Sequence, residues 1–166
     1  EDKLFYVDKL KNEIWAIELK NQYELKDIGI FPNVSSLAFT NNKLYISSRT
    51  KSRIAIIDYS TMGLITEFTT VNKPLAMLLY DKTLYVLGAQ NNEIQKINTA
   101  NDQVIDTIAL GTDGFSSGLN AIENTNLAVV TDLKNNLYSI LDLSKGKLLK
   151  TYKLNVPIKS VIITNK

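Results

Sequence analysis

Residues 83–110, TLYVLGAQNNEIQKINTANDQVIDTIAL, contain three apolar, β-branched runs separated by two polar turns rich in Asn, Gln, Asp and Thr. Short β-forming runs joined by such turns read as two consecutive antiparallel hairpins. The same cadence occurs on both sides of this stretch. Leu4, Leu44, Leu84 and Leu127 each open a strand-like run, and Glu18, Asp58, Asn98 and Asp142 each close the next one. Both series recur at a spacing of about 40 residues, which is the mark of a repeat array.

Each repeat contains four runs. In the second they are KLYISS (43–48), RIAIIDY (53–59), LITEFTT (64–70) and PLAMLLY (74–80). No window shows a capped period of about 3.6 residues, so the chain is expected to be all-β. SLAF, PLAMLLY and VIIT are nearly continuous apolar stretches, which predicts a strand buried on both faces. YELKDIGI and ITEFTT alternate and carry charge, which suits an outer edge. A four-stranded antiparallel unit with a buried inner strand and a polar outer strand, repeated at this period, is a β-propeller blade.

These runs predict a single domain over 1–166, with blade-like repeats near 1–39, 40–79, 80–122 and 123–166. The chain opens on what would be a blade's second strand and ends on a first strand, PIKSVIITNK. Pairing of Pro157–Thr164 beside Leu4–Lys9 would close a ring of four and remove its open edges. The alternatives are half of an eight-bladed ring completed by a homodimer, or a fragment of a larger propeller.

LYVLGAQNNEIQKINTANDQVIDTIALG resembles the bacterial YVTN-type propeller repeat, in which LYVTN, a loop, VxVID and TATNKVVATI lead to a Gly/Pro turn. The resemblance extends over all four repeats. It departs from the pattern at ISSRTKS in the second repeat and AVVTDLKNN in the fourth. It implies the propeller fold and a periplasmic or cell-surface location, with roles that vary from member to member.

Composition narrows the chemistry. The chain has no His and no Cys, which removes imidazole bases, Cys or Ser nucleophiles activated by His, Cys/His metal sites and disulfides. Net charge is +2, too small to argue for nucleic-acid binding. No apolar run reaches the roughly 18 residues of a transmembrane helix. No cofactor or metal site is expected. Glu18, Asp58, Asn98 and Asp142 sit where strands enter turns, so they are expected to bond the turn's own amides.

Two stretches stand out on the face shared by the second-to-third-strand loops and the connections between blades. One is Arg49-Thr50-Lys51-Ser52-Arg53. In an extended loop the alternating Arg49, Lys51 and Arg53 would point together and attract a carboxylate, a phosphate or an acidic partner. The plainer reading is a solvated hairpin tip. The other is 111–118, GTDGFSSG, the one lengthened connector, where Asp113, Phe115, Ser116 and Ser117 are candidate contacts. Its plainer reading is a longer linker with Phe115 folded back. Trp15 occupies a strand position filled elsewhere by Ala, Gln or Tyr and reads as packing between blades or an aromatic on the outer wall.

The expected function is that of a non-enzymatic, extracytoplasmic propeller binding another protein or a surface polymer. The alternative is an enzyme or cofactor-binding propeller, lactonase-like or dehydrogenase-like, using carboxylates at the central channel.

Overall fold

The structure, a computed structural model, describes residues 3–20, 23–111 and 115–156. Every regular element among them is a β-strand, and each sheet is an antiparallel meander in sequence order. The first sheet contains β1 (Lys3–Asp8), β2 (Glu13–Glu18) and β3 (Glu24–Ile30). The second is β4 (Val34–Thr40), β5 (Lys43–Ser48), β6 (Arg53–Asp58) and β7 (Leu64–Thr69). The third is β8 (Pro74–Tyr80), β9 (Thr83–Gly88), β10 (Glu93–Asn98) and β11 (Gln103–Ala109). The fourth is β12 (Ser116–Ala121), β13 (Leu127–Asp132), β14 (Leu137–Asp142) and β15 (Lys147–Lys153). This is the all-β propeller architecture that the repeats predict. Pro157–Thr164, the segment expected to pair with β1, lies outside the described residues.

Sheets stack face to face because strand residues alternate sides. Ile14 of the first sheet packs on Leu44, Ile46 and Ile57 of the second. Tyr45, Ile54 and Ile56 on the second sheet's other side meet Leu84, Val86 and Ile97 of the third. Tyr85, Leu87 and Ile94 then meet Leu119, Val130 and Leu141 of the fourth. Each interior sheet therefore has one side facing the sheet before it and one facing the sheet after.

The registers fix which residues share a position. Lys3, Lys43, Thr83 and Leu127 pair with Glu18, Asp58, Asn98 and Asp142 respectively. Leu4, Leu44 and Leu84 are therefore matched in the fourth sheet by Ala128. The expected anchor Leu127 is one residue early, because the loop before β13 ends on an apolar residue that sequence alone places in the strand's first buried slot. A shift of one residue reverses the side a strand residue faces. For the same reason the counterpart of Trp15 in the fourth sheet is Ser139 and not a tyrosine.

Burial also differs from expectation. The innermost strands β4 and β8 are mostly half-buried, whereas β5, β9 and β13 are buried along nearly their whole length. An innermost strand lacks a neighbour on its hub edge, whereas the second strand has a strand on each edge. The outer strands β7, β11 and β15 are largely exposed, as their charged alternation predicts.

Two irregularities recur at fixed places. Ser35, Leu75 and Ser117 are bulged out of the pairing of the innermost strand, as are Ile65, Ile105 and Leu149 in the outer strand. Such bulges increase local twist and re-aim the strand end. Gly88 fits another tight place, where a Cβ would stand 2.9 Å from the Cβ of Val71 in the preceding connector.

Candidate functional site on the loop face

The second-to-third-strand turns and the connectors between sheets share one face, and their backbones are laced together. Phe31, Thr70, Leu110 and Leu154 donate their N–H groups to the carbonyls of Asn12, Ser52, Asn92 and Asn136, the last residues of the four turns. Those four residues all have positive φ, between 50° and 59°. Arg49 N–H also donates to Asn33 O at 3.0 Å. The hairpin tip at 49–52 is thus a tight turn tied to connectors on both sides.

This explains why the basic triplet does not point one way. Arg49 lines a hollow of about 270 Å³ with Lys9, Asn12, Asn33 and Ser35. Lys51 and Arg53 line a wider cleft of about 670 Å³ with Phe31, Leu64 and Glu67. Arg53 is neutralised by an ion pair with Glu67. The tight turn sends alternate residues to different cavities, so the extended-loop geometry is replaced by a split site. The side chains of Lys9, Arg49 and Lys51 have no acidic partner among the described residues.

Lys9 was not singled out from sequence, although the signal is present. It occupies the same turn position as Arg49, one repeat earlier, so adjacent sheets place two cations around one hollow. Ala89 and Leu133 hold that position in the third and fourth sheets, so the pair of cations does not recur there, although Lys134 follows Leu133 in the fourth turn. Asn12 Oδ1 accepts the Asn33 N–H at 3.0 Å and shapes the rim of the hollow.

The lengthened connector divides differently. Asp113 lies outside the described residues. Phe115 is 52% exposed, and Lys134 Nζ lies 5.7 Å from the centre of its ring. Ser116 is buried and donates its hydroxyl to Asn92 Oδ1. Ser117 Oγ lies 2.7 Å from Thr131 Oγ1, repeating the 2.9 Å contact of Ser35 with Ser47 in the second sheet. Both serines therefore hold the strand end in place, and Phe115 is the large apolar side chain this segment exposes among the described residues.

The carboxylates at strand ends serve the opposite face, as their position predicts. Asp58 Oδ1 accepts the N–H groups of Ser60 and Thr61 at 2.9 and 2.7 Å. Asp142 Oδ1 accepts the Ser144 hydroxyl at 2.7 Å and the Lys145 N–H at 3.1 Å. The Thr61 amide holds Asp58, and the Ser144 hydroxyl holds Asp142, below the ordinary carboxylate pKa. Asn98 accepts the Ala100 N–H in the same way, while Glu18 instead pairs with Lys26 at 2.8 Å.

No family model and no curated protein matches the sequence. Solved structures do match its shape. Hydrazine synthase of Kuenenia stuttgartiensis aligns with a TM-score of 0.77 at 15% identity, over 90% of this chain and 45% of that one. The computationally designed Ika8 protein gives 0.78 at 12% identity, over 99% of this chain and 51% of that one. Virginiamycin B lyase from Staphylococcus aureus gives 0.75 at 18% identity, over 93% of this chain and 53% of that one. Hydrazine synthase and virginiamycin B lyase share the β-propeller fold, and at these identities the likeness is one of fold. The chain spans about half the length of these structures.

Proposed function

We propose that this chain is a non-enzymatic binding module whose loop face receives an acidic protein or surface polymer, outside the cytoplasm. The observation that carries this reading is the convergence of Lys9 and Arg49, from adjacent sheets, on one hollow of mixed polar and apolar lining, with no acidic partner for either among the described residues. Cations around a concavity concentrate field there and speed the arrival of anionic partners. Lys51 extends the basic surface into the neighbouring cleft, where Phe31 and Leu64 offer apolar contact. The YVTN-type repeat resemblance supports a periplasmic or cell-surface setting.

The test uses poly-glutamate as the probe, with binding followed at several salt concentrations. The wild type should bind with a clear loss of affinity as salt rises. Replacing Lys9, Arg49 and Lys51 together by Ser should weaken binding by about tenfold and flatten the salt dependence. Arg53→Ser alone should change little, because Glu67 already balances that charge. Equal binding by the triple variant would remove this face from the function.

A further inference from the structure

The first and fourth sheets each have a side that no described sheet covers. On the first sheet it carries Leu4, Tyr6 and Leu25, which are 53%, 39% and 54% exposed. The positions of Leu4 and Tyr6 are filled in the second sheet by Leu44 and Ile46, each 1% exposed, and in the third by Leu84 and Val86, each 0%. One repeat position is thus sealed wherever a preceding sheet is present and open where none is. The fourth sheet shows the converse in its outer strands, while Val129 and Thr131 on the same side of its second strand stay buried at 5% and 6%. Tyr138 and Ile140 are half-buried and Tyr152 is 37% exposed, whereas Ile14, Ile54 and Ile94, at the position of Tyr138, are all 0% exposed.

We infer that these two sides are the two halves of one sheet–sheet interface, and that a second copy of this chain supplies the missing half of each. Two copies then join head to tail, first sheet against fourth sheet, and close a two-fold ring.

Register supports this occupant. Every internal interface joins one side that faces forward with one that faces back, and the free sides are one of each kind. Charge agrees with it. Asp27, opposite Trp15, stands on the outer strand of the first sheet's free side, and Lys150, opposite Ile140, stands on the outer strand of the fourth's. The tyrosine pair Tyr138–Tyr152, stacked at 4.8 Å, gives the fourth sheet's side a flat aromatic surface with polar tips, a composition favoured at interfaces. The chain spans about half the length of the structures it resembles, so two copies reach about the length of one such chain.

The experiment is a solution mass by light scattering and native mass spectrometry at micromolar concentration. The expected mass is twice 18.6 kDa. Leu4→Asp should reduce it to a single copy, while Leu10→Asp, in an exposed turn away from either side, should not. A charge pair provides a second test, on surface residues, that does not depend on the folding of Leu4→Asp. Asp27→Lys and Lys150→Asp should each weaken the dimer by about tenfold, and the double variant should restore it. A single-copy mass for the wild type, a mass above two copies, or no rescue by the double variant would each overturn the arrangement.

Discussion

The first and third interfaces between sheets do the same job with different chemistry. In the third, Tyr85 crosses from β9 and donates its hydroxyl to the Leu143 carbonyl at 2.5 Å. In the first, Phe5 holds the position of Tyr85 and has no hydroxyl to give. Lys3, two residues earlier on the same strand, instead donates to the Tyr59 carbonyl at 3.0 Å and lies 4.0 Å from the centre of the Tyr59 ring. Tyr59 and Leu143 occupy equivalent positions, so the acceptor is constant and the donor has moved. The second interface adds a charge. Tyr45 donates to Asp102 at 2.7 Å and lies 3.4 Å from the Thr99 carbonyl, the equivalent of those of Tyr59 and Leu143, and Lys43 pairs with the Asp102 carboxylate at 2.6 Å. All three interfaces place a donor near that carbonyl. The residue that provides it is free to vary.

The comparison breaks first where the two interfaces should behave alike. Ile14→Ala in the first and Leu87→Ala in the third remove fully buried side chains. Each should cost about 2–5 kcal/mol in urea unfolding, because both leave a cavity in a sealed core. Unequal losses well outside that range would mean that the apolar contacts, too, differ in kind. The donors can then be compared directly. Tyr85→Phe leaves a buried carbonyl without its partner and should cost about 1–3 kcal/mol. Burial raises the Tyr85 pKa above its ordinary 10.0, so the wild type's contribution is complete below pH 10.0 and is lost as pH rises beyond it. The Phe variant should show a shallower alkaline decline in Tm. Lys3→Met should cost a similar amount, about 1–3 kcal/mol, because the Lys3 side chain is only 7% exposed and the Tyr59 carbonyl loses this donor. A loss for Lys3→Met well below that for Tyr85→Phe would make the two latches unequal. The smallest effect is expected in acid. Asp58 and Asp142 have lowered pKa values, so their stabilisation is present above the ordinary 3.8 and disappears as pH falls below it. Asp142→Asn should flatten that part of a Tm-versus-pH curve.

Much of the fold was readable because repetition averages out local ambiguity. The spacing of Glu18, Asp58, Asn98 and Asp142 located the strand ends, and three of those residues cap their turns as their chemistry predicts. The burial of the innermost strands is not legible in the sequence because PLAMLLY is apolar for two different reasons. Part of it faces neighbouring sheets, and part lines a hub whose exposure depends on how many sheets surround it. Composition does not carry that number. The Leu127 slip has a similar origin, since one apolar residue more or less at a strand's start looks identical in sequence and reverses every side chain in space. At the candidate site, Arg49 was visible and Lys9 was not. A single basic triplet catches attention, while two cations one repeat apart meet only once the sheets are stacked. Ser116 and Ser117 looked available because hydroxyls in a glycine-rich stretch resemble a contact loop. Their bonds to Asn92 and Thr131 belong to the strand end.

The four residues with positive φ that end the loop-face turns have a practical consequence. Asn12, Ser52, Asn92 and Asn136 differ little in backbone shape, and each passes its carbonyl to the next connector in the same way. The turns before them are therefore exchangeable parts. A foreign loop ending in Asn is expected to seat on any of the four sheets, whereas one ending in Gly would lose the side-chain bonds by which Asn12, Ser52 and Asn92 hold Asn33, Lys73 and Ser116. The loop face then works as a rack of equivalent sockets, on which basic, apolar or aromatic tips can be rearranged while the sheets beneath stay the same.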